Sequence, residues 1–140
     1  MVVADTDMLT NFFNGRPGAV AAMSMVPLDE LAITIVTCEE VLRGWLAKIR
    51  QASSGEGRMT LAVAYTRFGE AIIALSKFIL LPYDPAADDL YKSWRTAKVK
   101  CGGTQDLRIA AICVAHDATL MTYNKRDFDK VPELKLSVWN

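Results

Sequence analysis

One histidine and three cysteines are the only imidazole and thiol groups in this sequence. A single imidazole, His116, cannot build a multi-histidine zinc centre and reads as a structural residue. The three thiols, Cys38, Cys101 and Cys113, leave one unpaired in any disulfide scheme, and no pair is spaced Cys-x-x-Cys. Reduced thiols are the expectation, with Cys38 and Cys113 packing rather than reacting. No apolar run approaches the roughly 20 residues needed to cross a bilayer. Met1 is followed by acids, not by a basic stretch and an apolar signal core, so a cytoplasmic protein with no membrane partner is expected. Basic and acidic residues both number 16, so no global field draws the chain to a polyanion. Walker loops, Gly-x-Ser-x-Gly elbows and Gly-x-Gly-x-x-Gly turns are all missing. That removes any support for nucleophilic triads and nucleotide cofactors.

What the chain does have is one pattern used repeatedly: an apolar strand that runs into an acid. Val2-Val3-Ala4 ends on Asp5-Thr6-Asp7. Ala32 to Val36 leads through Thr37 to Glu39-Glu40, and Ala118 to Thr122 leads through Asn124 to Asp127. Asp106 heads a strongly apolar helix. Residues just past the carboxyl ends of neighbouring parallel strands converge on one crevice, so these acids can share a site despite their distance in sequence.

The pattern predicts a single domain over residues 1–140, large enough to bury about two thirds of its unfolded surface. Strands are expected at Val2–Ala4, Leu31–Val36, Phe78–Leu81, Ala118–Thr122 and Leu134–Val138. Helices are expected at Met8–Phe13, from Pro17 to Met25, and from Thr37 until Ser53-Ser54-Gly55. A further helix carries the stripe Leu61, Tyr65, Phe68, Ile72, Leu75 and Ile79, its last turns giving way to the third strand. Asp84-Pro85 opens another, which ends near Cys101-Gly102-Gly103, and Leu107–Ala115 is apolar nearly all round. Strands alternating with helices imply an α/β fold with a mostly parallel central sheet covered on both faces.

Each acid also has a structural explanation. Thr37-Cys38-Glu39-Glu40 matches a capping box, Asp106 suits the first turn of a helix, and Asn124 with Asp127 resembles another cap. Asp5 is harder to explain this way, because an acid closing a buried strand caps nothing unless the chain turns at once into helix. Two carboxylates about 5 Å apart repel by about 3 kcal/mol at an effective dielectric near 20. Gathered acids therefore call for a cation, and an all-oxygen set suits Mg²⁺ or Mn²⁺. Such sites activate water and offset charge on a phosphoryl group. Basic residues cluster at Lys92, Arg95, Lys98 and Lys100, and again at Arg43, Lys48 and Arg50. They read as solvated helix faces or as contacts for a polyanion.

Four segments together resemble the PIN-domain ribonucleases, in particular the VapC-type toxins of prokaryotic toxin–antitoxin modules. They are Asp5-Thr6-Asp7, Ile35 through Gly44, Thr104 through Ala111, and Ala118 through Phe128 with Val131-Pro132. The resemblance implies a PIN-like three-layer α/β/α sandwich and a Mg²⁺- or Mn²⁺-dependent endoribonuclease that leaves a 5′ phosphate and a 3′ hydroxyl. It makes Asp5, Glu40 and Asp106 the metal-binding acids, and shares the fourth position between Asn124 and Asp127. Glu39 is the substitute for Glu40. Thr6 and Thr122 supply supporting hydroxyls, and Arg43, Arg108, Lys98 and Lys100 meet phosphates. The implied partners are an RNA substrate, a VapB-like antitoxin and a second copy of the chain. Val41, Trp45, Leu46, Phe68 and Ile72 either pack on the sheet and on one another or line a groove for an antitoxin helix. Two rivals are a haloacid-dehalogenase-type phosphatase with Asp5 as nucleophile, and a non-catalytic module that binds RNA or protein.

Overall fold

The computed structural model describes residues 1–139. Strands β1 (Val2–Ala4), β2 (Leu31–Thr34), β3 (Ile79–Leu81), β4 (Thr119–Thr122) and β5 (Lys135–Val138) form one sheet in the order β3-β2-β1-β4-β5. All four strand pairings are parallel. Seven α-helices are described: α1 (Thr6–Phe13), α2 (Pro17–Ser24), α3 (Ile35–Ser53), α4 (Leu61–Leu75), α5 (Pro85–Thr96), α6 (Thr104–Ala115) and α7 (Lys125–Phe128). None is long and apolar enough to cross a membrane.

Side chains alternate across a strand, and here each side of the sheet meets its own apolar layer. Val3, Ala32 and Leu120 join Trp94, Leu107, Ile109 and Phe128 on the face covered by α5 and α6. Ala4, Ile33 and Met121 join Met8, Leu9, Met23 and Leu75 on the face covered by α1, α2 and α4. Helix α6 contributes Leu107 and an unbroken buried run from Ile109 to Cys113, which explains its nearly all-round apolar sequence.

The chain order sets where a ligand can enter. From β1 the chain moves outward through β2 to β3, then crosses back to β4 on the other side of β1. Carboxyl ends on either side of such a reversal splay apart and leave a crevice. That crevice opens between the ends of β1 and β4, where Asp5 N–H is held to the Met121 carbonyl at 3.2 Å.

Several boundaries depart from expectation: α1 begins at Thr6 rather than Met8, α5 ends at Thr96 rather than near Cys101, and α6 begins at Thr104 rather than Leu107. Strand β2 stops at Thr34 rather than Val36, because the Thr34 hydroxyl accepts from Thr37 N–H at 3.1 Å and starts α3 there. Such a cap stabilises a helix by about 1 kcal/mol, enough to override the strand preference of Ile35-Val36. Helix α4 ends at Leu75, and β3 begins at Ile79.

Candidate active site

Asp5 leaves β1 at the floor of the crevice, 4% exposed. It does cap a helix after all: the chain enters α1 immediately, and Asp5 Oδ1 accepts from Met8 N–H at 2.8 Å. Burial is the main cause that pushes its carboxyl up to about 6, and the charges of Asp7 and Asp127 push the same way. Bonds from Thr122 and the Met8 amide oppose the rise.

Glu40 reaches the crevice from α3. With α3 starting a turn earlier than expected, Glu40 lies past the N-terminal turn and the expected capping box is not formed. Instead Glu40 Oε1 accepts from the Thr6 hydroxyl at 2.7 Å, and Thr6 also lies 3.0 Å from Thr37 Oγ1. Glu39, the expected substitute, turns elsewhere. It pairs with Arg43 and accepts from Gln105 Nε2 at 2.8 Å, while Gln105 accepts from Arg108 at 2.7 Å. Glu40 is therefore the α3 acid that faces the crevice.

Asp106 stands in the first turn of α6, where no side chain caps the preceding Gly103. The helix dipole there favours an ionised acid. Its carboxyl is nonetheless pushed up to about 6, first by burial and then by the charges of Asp127, Glu40, Asp5 and Asp7. Asp127 approaches from α7. A methyl group placed on Gly102 would lie 2.6 Å from both Asp106 Oδ2 and Asp127 Cγ, so those two atoms are at most twice that distance apart.

Asn124 behaves differently from the acids. It is exposed, and its amide donates to Asp7 Oδ2 at 3.3 Å, so its side chain is engaged at the rim. Asp7 is a further acidic neighbour of the site, not among the acids expected from the sequence. The repeated acid in Asp5-Thr6-Asp7 was its only signal, and its charge reaches both Asp5 and Asp106. His116 lies at the far end of α6, 3.4 Å from Asp84, well removed from the crevice.

The donors are carboxylate oxygens, matching a hard cation better than zinc. Asp5 and Asp106 are each raised first by burial and then by neighbouring carboxylates, and a counter-charge would relieve that repulsion. Among the described residues, no three His, Cys, Asp or Glu side chains are grouped closely enough to hold a metal ion as they stand. A phospho-aspartate mechanism would need a cation beside Asp5. The influences on Asp5 are burial, two donors and two carboxylates, and Lys125 is exposed on α7.

The PIN domain pattern matches residues 2–134. The chain belongs to the PIN domain family. The ribonuclease VapC1 of Haemophilus influenzae (strain R2866) is 23% identical over 137 residues, covering 96% of this chain and 95% of that protein. VapBC2 from Rickettsia felis, solved bound to a DNA fragment from its promoter, superposes with a TM-score of 0.76 at 21% identity over 100% of both chains. DNA-bound VapBC from Salmonella typhimurium gives 0.75 at 18% identity, covering 99% of this chain and 98% of that one. At these identities the structural likeness establishes the PIN fold, which agrees with the three-layer α/β/α sandwich expected from the sequence.

Proposed function

We propose that this PIN domain is a VapC-type endoribonuclease, the toxin of a toxin–antitoxin pair, acting on RNA in the cytoplasm with Mg²⁺ or Mn²⁺. The observation that carries this reading is the convergence of acids from the end of β1 and from α3, α6 and α7 on one crevice, where Asp5 and Asp106 are raised first by burial and then by their neighbours' charge. The match to a protein named as a ribonuclease supports the substrate.

In this reading Asp5, Glu40 and Asp106 hold the cation, with Asp127 as the fourth acid and Asn124 at the rim. When bound, a divalent cation makes an attached water more acidic and offsets charge on the scissile phosphate. The chain's own residues prepare for that chemistry. Thr6 fixes one oxygen of Glu40, Thr122 and the Met8 amide orient Asp5, and burial keeps bulk water from screening the acids. Arg43 and Arg108, linked through Glu39 and Gln105, flank the crevice as phosphate contacts, and Lys98 and Lys100 precede α6. The test is cleavage of a mixed tRNA and rRNA pool. Cutting should stop with a chelator and return when Mg²⁺ or Mn²⁺ is restored. Tight RNA binding without turnover would favour the non-catalytic module instead.

The proposed partner is a VapB-like antitoxin bound to a homodimer of this chain. The VapBC complexes among the similar structures support the antitoxin. A cavity of about 310 Å³ lined by Phe13, Val41, Trp45 and Lys48 also contains Thr6 and Glu40, so an apolar segment seated there would end beside the acids. Trp45 is half-buried, with Lys48 over its ring at 4.3 Å. Trp45→Glu should weaken antitoxin affinity by tenfold or more, within the range of a central aromatic anchor at roughly 2 kcal/mol. Titration calorimetry with the purified antitoxin checks this, and unchanged affinity would remove Trp45 from the interface.

A further inference from the structure

A cavity of about 590 Å³ is lined by Asp7, Thr10, Asn11, Arg16, Tyr123 and Asn124. It adjoins the acids directly. Asp7 acts on Asp5 and Asp106 through its charge, and Tyr123 and Asn124 follow Thr122, the residue bonded to Asp5. Its volume falls within the range of small-molecule sites, roughly 300 to 1,000 Å³.

The lining combines the groups that recognise a single-stranded nucleotide. Tyr123 is half-buried and packs against the apolar layer beneath α1 and α2, so its ring is braced before any ligand arrives. A pre-positioned aromatic ring stacks on a base of any identity. Arg16 is exposed, precedes α2, and makes no ion pair among the described residues. Its guanidinium is available to a phosphate, for which arginine offers a planar fork of donors. Asn11 presents an amide that both donates and accepts, suited to a base edge.

We infer that this cavity is a nucleotide subsite, in which Tyr123 stacks on, Asn11 reads and Arg16 anchors the nucleotide next to the scissile phosphate of single-stranded RNA. The inference rests on the nuclease reading and goes further, because it assigns base preference at one fixed position to residues outside the acid cluster. Neither Tyr123 nor Arg16 belongs to that cluster, so metal activation should not depend on them.

The test measures binding and cutting separately. Fluorescence anisotropy with a labelled single-stranded RNA oligonucleotide, in chelator, gives affinity without turnover. Tyr123→Ala should weaken binding roughly tenfold, within the range for loss of one stacked base, whereas Tyr123→Phe should stay within about twofold. Arg16→Ala, at an exposed position that does not challenge folding, should weaken binding and lower the salt slope by about one phosphate contact. Sequencing of cut ends should show Asn11→Ala relaxing base preference at a single position relative to the cut. If wild type binds or cuts RNA but the Tyr123, Arg16 and Asn11 variants match it in affinity, salt slope and cut-site preference, the subsite is wrong and the nuclease reading stands. If wild type neither binds nor cuts any RNA, with or without divalent cation, both fall together.

Discussion

Asp106→Asn should reduce RNA cleavage on the order of a hundredfold to a thousandfold while raising the melting temperature of the metal-free protein near pH 7.5. The two effects have one cause. Asp106 sits beside Asp127, Glu40, Asp5 and Asp7, and its carboxyl is pushed up to about 6 from an ordinary 3.8. A folded-state pKa above the unfolded value means that ionisation opposes folding. The associated stability is fully present below 3.8 and is lost as pH rises through about 6. At neutral pH the wild type carries the whole cost, and asparagine, close in shape but uncharged, carries none. Asp106 is only partly buried, so solvent screening limits the gain to about 1 kcal/mol, a few degrees in a domain of this size.

Asp5→Asn extends the same test to a buried position. Asparagine caps a helix as well as aspartate, so the bond to Met8 N–H can survive while the charge is lost. The gain there should be larger, roughly 2 to 3 kcal/mol by the size of the shift. Both gains should shrink toward pH 4, where the wild-type carboxyls are protonated. Added Mg²⁺ or Mn²⁺ should stabilise wild type far more than either variant. Scanning calorimetry in chelator across this pH range decides the matter. A variant that melts below wild type at neutral pH, or that still cuts RNA at the wild-type rate, would remove that acid from the charged cluster.

Much of this geometry can be read from the sequence, for a physical reason. β1 and β4 are short apolar runs closed by polar residues, and a parallel sheet brings such ends together whatever their distance in sequence. Asp5, Glu40 and Asp106 were therefore identifiable as neighbours from pattern and resemblance. What could not be read depends on which of two local options tertiary packing selects. Ile35-Val36 suits a strand, yet Thr34 caps α3 just before them, and this frees Glu40 from the capping role that the Thr-x-x-Glu spacing suggests. Glu39 and Glu40 are equivalent by composition. They separate only because Gln105, on a helix far along the chain, takes Glu39, while Thr6 takes Glu40. Asp7 carries no signal in the sequence of its influence on Asp106, which arises only once α6 lies alongside.

Gly102 shows how strongly the acids constrain the chain around them, and Gly102→Ala should damage both folding and cleavage. Its backbone does not require glycine through a positive φ, since Gly15, Gly55 and Gly57 are the glycines in that region. The requirement is space. A Cβ on Gly102 would meet Asp106 Oδ2 and Asp127 Cγ at 2.6 Å and Asp127 Cβ at 2.8 Å. Asp106 Oδ2 ends a side chain and can rotate away, but Asp127 Cβ is fixed to the short helix α7. Gly102 cannot easily retreat either, because its N–H donates to the Asp127 carbonyl at 3.0 Å. Alanine must therefore displace α7 or expel Asp106 from its place among the acids. Overpacking of this kind costs about 1 to 3 kcal/mol. A misplaced catalytic group lowers turnover by up to about a hundredfold. Gly103→Ala is the matched control, because its added Cβ would come no nearer than 3.8 Å to Asp106 and its φ of −163° is extended backbone open to any residue. Urea unfolding and RNA cleavage of the two variants side by side should show Gly102→Ala impaired in both and Gly103→Ala close to wild type. Equal behaviour of the pair would mean that the backbone at Gly102 does not hold Asp106 and Asp127 together.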